Sequence, residues 1–238
     1  MGNNISEKSL FLGLFIMLGL TFLGIFIKSA VISFKSYDRV VNVKGLAQIE
    51  VPANKVIWPV VYKEIGNDLS TLYKAISNKN EIIISYLKSK GLDENEITIS
   101  APSIIDMNAE RYQSQPSNYR YNITSIITVT SEKVELVGEI ISSQSELLTK
   151  GVALLAGDYQ YQTQYLFTLL NDIKPSMIEE ATKNARASAE KFAIDSNSKL
   201  GKIKTASQGQ FSIQNRDANT PQIKTVRVVS TIAYMLRD

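Results

Sequence analysis

The sequence predicts an α+β protein: a largely antiparallel sheet packed against about three helices, preceded by one N-terminal transmembrane helix. Three observations point there. An uncharged apolar run lies near the start of the chain. Segments with two-residue apolar periodicity outnumber those with helical periodicity. Many of the predicted strands are joined by short links, which suit antiparallel neighbours. Of the 238 residues, 44% are hydrophobic, enough for a sizeable core.

Leu10 to Ile27 reads LFLGLFIMLGLTFLGIFI, 18 residues without a charge. At 1.5 Å per residue the run spans about 27 Å, close to the hydrocarbon core of a bilayer. It is apolar all round, whereas a core helix of a soluble domain keeps one polar face. Lys8 and Lys28 bracket it. The run is longer than a signal-peptide core, and Lys28-Ser29-Ala30 puts Lys where cleavage wants a small residue, so a retained anchor is favoured. The expected division is a tail over 1–9, an anchor over 10–28, a polar spacer over 29–39 and a folded domain over 40–238. Charge leaves the orientation open. Lys8 and the terminal amine lie on one side, Lys28, Lys35, Arg39 and Lys44 on the other, and long domains translocate largely regardless of charge.

Val40–Val51 alternates, with Val41, Val43, Ile49 and Val51 on one parity. After Pro52-Ala53-Asn54 a second strand, Lys55–Ile65, puts Val56, Trp58, Val60 and Tyr62 together. The short break predicts an antiparallel pair, and Pro59 an edge or a bulge. Asp68–Lys90 carries Leu69, Leu72, Tyr73, Ile76, Ile83, Ile84 and Leu87 at spacings of three and four. That is a helix, which Asn67 can cap and Gly91 can end. Ile97–Ile105 reads as a strand, Asp106–Asn118 as a polar loop and Tyr119–Thr130 as a strand. Ser131 caps a helix to Lys150, closed by Gly151, with Val134, Val137, Ile140, Ile141, Leu147 and Leu148 inward. Tyr159, Tyr161, Thr163 and Tyr165 then alternate with Gln160, Gln162 and Gln164, as on the two faces of a strand. Pro175 opens a third helix through Ser198, with Ile178, Ala181, Ala185, Phe192 and Ala193 inward and Gly201 at its end. Lys202–Ile213 and Lys224–Leu236 are the last strands, and Gln214–Gln222 is a polar loop between them.

Composition excludes more chemistry than it suggests. The chain has no Cys and no His. Disulfides, thiolate metal sites, Ser-His-Asp catalysis and His-ligated zinc or haem fall outside its repertoire. The net charge of +3 comes from mixed charges, and basic spots such as Lys199, Lys202 and Lys204 read as a solvated face, so no nucleic acid is expected. Ser-x-x-Lys occurs at Ser85/Lys88, Ser188/Lys191 and Ser196/Lys199, each time in a predicted helix and without its companion motifs. Asp93, Glu94 and Glu96 cluster after Gly91. Two of them could serve as acid and base or hold a hard cation, but a solvated turn is the simpler reading. No phosphate, dinucleotide or calcium loop occurs. No catalytic, metal or cofactor residue is assigned, no cofactor is expected, and the chain reads as a non-enzyme. The candidate site is an interface. Tyr159, Tyr161 and Tyr165, with Tyr112 and Tyr119, offer amphipathic aromatic area; the plainer reading makes one strand face core and the other solvent. Trp58, the sole tryptophan, is assigned to the core.

Four stretches carry a resemblance. VNVKGLAQIEVPANKV is a strand-Gly-strand-Pro opening. IISYLKSKGLDENEITIS is a helix, a glycine and an acidic turn leading into a strand. The Ala-rich run Ala181 to Ala189 is followed by SKLGKI, and TVRVVSTIAYML is a closing strand. In order and spacing they resemble the SIMPL-domain family of bacterial envelope proteins, from Val40 to Leu236. Ala47 stands where a second glycine is expected, and Ala53 where an acidic residue often follows the proline. The resemblance implies an inner-membrane location with residues 1–9 cytoplasmic and the domain periplasmic. It also implies homo-oligomers, since some relatives form ring- or channel-like assemblies, and a link to oxidative-stress tolerance. It brings no active site. The leading expectation is a membrane-anchored, non-enzymatic envelope or scaffold component that self-assembles and meets the lipid bilayer through residues 10–28. The alternative is a ligand- or partner-binding module that senses envelope stress through the loop Asp106–Asn118, with an envelope protein as partner. A carboxylate-based hydrolase using Asp93 and Glu96 comes third.

Overall fold

The computed structural model describes residues 7–36, 39–109, 118–155 and 159–237. It is α+β with antiparallel sheets, as the sequence predicts. Helix α1 runs Glu7–Ser36, past Lys28 and through most of the segment read as a polar spacer. Within it Leu10–Ile32 is long and apolar enough to cross a membrane, and none of that stretch is buried against protein. Thr21 carries the one hydroxyl of the run Leu10–Ile27, and it donates to the Met17 carbonyl at 2.7 Å. The hydroxyl is thereby satisfied inside the helix, as an apolar surround requires.

The chain divides into two compact units, one made of residues 1–48, 174–211 and 227–238 and the other of 49–173 and 212–226. The first holds a sheet in the order β1 (Val40–Pro52), β9 (Ile223–Arg237), β7 (Lys199–Gln208), with β9 central. Strands β7 and β9 are antiparallel. β1 turns Val43, Gly45 and Ala47 inward, the parity read from the sequence. Against this sheet lies α5 (Leu170–Asp195), which buries Met177, Ala181, Ala185, Ala189 and Ala193. That four-residue spacing of small side chains lets helix and strand backbones approach closely. A Cβ placed on Gly45 would lie 1.8 Å from the Ala181 carbonyl oxygen. Asn184 Nδ2 adds a hydrogen bond to the Leu46 carbonyl at 2.8 Å.

Three expectations about α5 are corrected. It begins at Leu170, so Pro175 sits inside it and withholds one N–H from the ladder. Phe192 is 59% exposed, because it falls beside the alanine stripe, where a ring has no room. The helix ends at Asp195, and Asn197 rather than Gly201 takes the left-handed conformation, at φ 52°. Gly201 belongs to β7, where a Cβ would come within 2.8 Å of the Met235 carbonyl oxygen.

The second unit is a five-stranded sheet in the order β3 (Ile97–Ile99), β5 (Tyr121–Ser131), β2 (Lys55–Gly66), β6 (Gln164–Leu166), with β4 (Ser103–Asp106) also on β5. β2 and β5 pair antiparallel from Val56↔Ser131 to Gly66↔Tyr121. Val56, Trp58, Val60 and Tyr62 are all buried, as their parity predicts, beneath Leu72, Ile83 and Leu87 of α2 (Leu69–Ser89) and Val137 of α3 (Val134–Ser142). Leu147 of α4 (Ser145–Thr149) joins the same core.

The predicted β1–β2 hairpin does not form. Pro52-Ala53-Asn54 carries no hairpin-turn signal, and its two N–H groups go to different elements: Ala53 to the Gln222 carbonyl at 2.7 Å and Asn54 to the Leu166 carbonyl at 3.0 Å. The edge implied by Pro59 is local. Val61, of the same parity, accepts from the Leu155 N–H at 2.7 Å, so the Pro59 nitrogen faces the β6 side, where β6 has already stopped opposite Ile57. The strand read over Ile97–Ile105 is two strands, parted at Ser100–Pro102, since the residue before a proline and the proline itself disrupt a ladder. The helix read to Lys150 is α3 and α4, parted at Ser143, whose hydroxyl donates to the Glu139 carbonyl at 3.0 Å and competes with the backbone. Leu148, read as inward, is exposed on the short second piece. Asp68, not Asn67, caps α2, accepting from Thr71 N–H at 2.7 Å. Gly91 and Gly151 close their helices at φ 101° and 78°.

Candidate functional site

The interface tyrosines do not share one face. Tyr159 and Tyr161 lie in a single 3₁₀ turn, and only Gln164–Leu166 forms strand. The tyrosine–glutamine alternation is therefore not a strand over its whole length. Pro59 gives the physical reason: opposite Gln162 the neighbouring strand would have to offer an N–H that proline lacks. Tyr159 is 86% exposed. Tyr165 is partly buried against the core of its unit, and burial raises its hydroxyl pKa. Tyr119 is exposed and lies at the far end of the sheet, next to Tyr121, which pairs with Gly66, whereas Tyr165 pairs with Val56. Ten strand residues separate those ends, about 33 Å. Tyr112 lies outside the described residues, as does most of the loop expected between Asp106 and Asn118.

The carboxylate cluster is a clasp. Lys133 Nζ donates to Asp93 Oδ2 at 2.7 Å, to Glu96 Oε2 at 3.2 Å and to the Gly91 carbonyl at 3.1 Å. Ser131 Oγ donates to Glu96 Oε1 at 2.5 Å. The hydrogen bond and charge of Lys133 hold Asp93 below the usual carboxylate range. Burial pushes Glu96 up, but the Ser131 hydroxyl, the Asp93 N–H and Lys133 outweigh it and leave Glu96 lowered too. Two carboxylates kept ionised in this way join the start of β3 to the end of β5; neither is poised as a general acid. Glu94 pairs with Lys88 at 3.1 Å. That lysine belongs to one Ser-x-x-Lys match, and in a second Lys191 pairs with Asp195 at 2.7 Å.

Two concave surfaces of the second unit were not visible in the sequence. One cavity, about 570 Å³, lies between the first turns of α2 and strand β4, lined by Leu69, Tyr73, Pro102, Ile104 and Ile123. Leu69 and Tyr73 belong to the helical period that predicts α2. They face outward, Tyr73 by 63%, and with Ile104 they line this exposed apolar concavity. A second of these, about 420 Å³, lies beside β6 and the turn from β8 (Ser212–Asn215) into β9, with Lys224 in its wall. That turn is rigid: Asp217 Oδ1 accepts from the N–H groups of Asn219 and Thr220 at 2.8 Å each. The Thr220 hydroxyl and Arg216 also bind Asp217 and hold its carboxyl far below the usual range. A lone Lys in an alternating strand gave no sequence signal that it would be buried.

An apolar helix long enough to cross a membrane, followed by antiparallel α+β units, defines the class of protein. Within that class the chain matches the model of the SIMPL family, a protein of unknown function (DUF541), over residues 41–232. It belongs to that family. The comparison with curated proteins gives no match.

Proposed function

We propose that this protein is a single-pass, non-enzymatic component of the bacterial envelope that self-assembles at the inner membrane, with residues 39–238 on the periplasmic side and a role in oxidative or envelope stress. The observation that carries the reading is the helix Leu10–Ile32, apolar enough to cross a bilayer and unburied throughout. Family membership supports the envelope setting. The apolar surface of Leu69, Tyr73 and Ile104, exposed in the single chain, is the kind of patch that marks an association surface. Many copies, each with its own tether, would gain avidity for the membrane without further contacts. The engagement of Asp93 and Glu96 by Lys133 supports a non-enzymatic role.

The test is the mass of the full chain in mild detergent by light scattering. A defined oligomer is expected at micromolar concentration, and a monomer overturns the reading. Orientation is tested separately by a reporter fused after Asp238, active only outside the cytoplasm.

A second reading, a partner-binding stress sensor, draws on the cavity between α2 and β4, which adjoins β4 where the Asp106–Asn118 loop begins. If removing residues 110–117 leaves every partner and phenotype intact, this reading fails.

A further inference from the structure

Lys224 is the second residue of β9 and only 6% exposed. A lysine so deeply placed is ordinarily matched by a carboxylate, because an unpaired buried charge is costly. Among the described residues Lys224 has no such match. Its Nζ donates to the amide oxygen of Asn215 across the β8–β9 turn, and no acidic group offsets the burial that lowers its pKa.

The lysine lines the 420 Å³ cavity beside β6, whose walls carry the amides of Gln160, Gln162, Gln164 and Asn215 alongside Leu166 and Pro221. Each carboxamide offers both a donor and an acceptor. The walls therefore suit a ligand with hydrogen-bonding groups, while a single cation suits a single negative charge. A dianion would leave one charge uncompensated in a partly enclosed site.

We propose that this cavity binds a small organic monocarboxylate, whose carboxylate takes the counter-ion position at Lys224 Nζ while its polar substituents bond the glutamine amides. Folding has already stripped most of the water from the ammonium, so the carboxylate meets a donor that needs little further desolvation. The proposal is independent of self-assembly and of the cavity between α2 and β4.

The experiment uses the full chain in detergent, with ¹³C at the lysine ε-carbons and the Lys224 resonance assigned through Lys224→Arg. Sodium N-acetylglycinate is titrated in, against N-acetylglycinamide, inorganic phosphate and sodium chloride at matched ionic strength. The expected result is a saturating displacement of the Lys224 resonance with the acid alone. Its titration midpoint should rise by about one unit when the acid is bound, since an adjacent opposite charge favours the charged form. The affinity, read by calorimetry, should fall about tenfold or more in Lys224→Met. A non-saturating shift, equal for the acid, its amide and chloride, overturns the proposal, and so does phosphate saturating at lower concentration than the acid. If Lys224→Met does not fold, the wild-type titration decides.

Discussion

Gly45 of β1 and Ala185 of α5 meet with no room for a methyl group between them: a Cβ on Gly45 would lie 2.8 Å from the Ala185 Cβ and 2.5 Å from its backbone nitrogen. The obstacle is backbone, which cannot rotate away. Gly45→Ala should therefore destabilise the protein by about 1–3 kcal/mol through overpacking, and Gly45→Val by more. Urea denaturation in detergent, followed by circular dichroism, measures it. An unchanged midpoint would mean that α5 does not lie this close to β1.

Tyr62 anchors α2 from beneath. Its hydroxyl shares one proton between the Ile76 carbonyl and Asn80 Oδ1, both at 2.9 Å, and Ser125 Oγ donates to the same Asn80 oxygen at 3.1 Å. Tyr62→Phe should cost about 1–2 kcal/mol. Adding Ser125→Ala removes both donors that Asn80 Oδ1 meets here, so the double variant should lose more than the sum of the singles. A double-mutant cycle on denaturation midpoints checks this.

Asp93 and Glu96 are more acidic in the folded protein than in the unfolded chain. Their contribution to stability is complete above the ordinary carboxylate range near 4 and drains away as pH falls through the lower folded values. Lys133→Met removes the partner that the two share. Its destabilisation should be visible at neutral pH and shrink toward zero in strong acid, where wild type has lost the same interaction. Denaturation midpoints measured from pH 7 down to about pH 2 test it; a gap independent of pH would contradict the clasp.

Tyr159 and Tyr73 separate the two interface candidates. Both are exposed in the single chain, so Tyr159→Ser and Tyr73→Ser should each leave the melting temperature within about 2 °C of wild type. Sedimentation in detergent should show weakened self-association for the variant whose ring lies in the interface, and Tyr73, within the larger apolar surface, is expected to have the stronger effect. If neither variant changes the assembly, neither surface forms it.

Periodicity made much of this fold legible. Val56, Trp58, Val60 and Tyr62 were grouped by parity and are buried together. Ala181, Ala185 and Ala193 were placed on one helix face and lie there. Pairing was less legible, because it is decided by where chain breaks send their N–H groups: nothing within Pro52-Ala53-Asn54 announces Gln222 and Leu166 as acceptors. Helical spacing also could not distinguish the inward Leu72 and Ile76 from the outward Leu69 and Tyr73, since an apolar stripe wider than the core it covers has the same period. Local structure near the surface was the least legible. Tyr159 and Tyr161 lost their strand to a proline roughly a hundred positions earlier, and Lys224 showed its burial only once the β8–β9 turn had closed over it.

The central position of β9 also bears on the order in which the protein is made. β1 is the first strand after helix α1, yet its neighbour in the sheet is the last strand, β9. While the rest is synthesised, β1 waits with an unpaired edge that other chains could join. A chain ending early, before about residue 226, would keep that edge permanently. Truncation from the C-terminus should thus be felt first at the other end of the sequence, as aggregation through β1 rather than a shortened but intact fold.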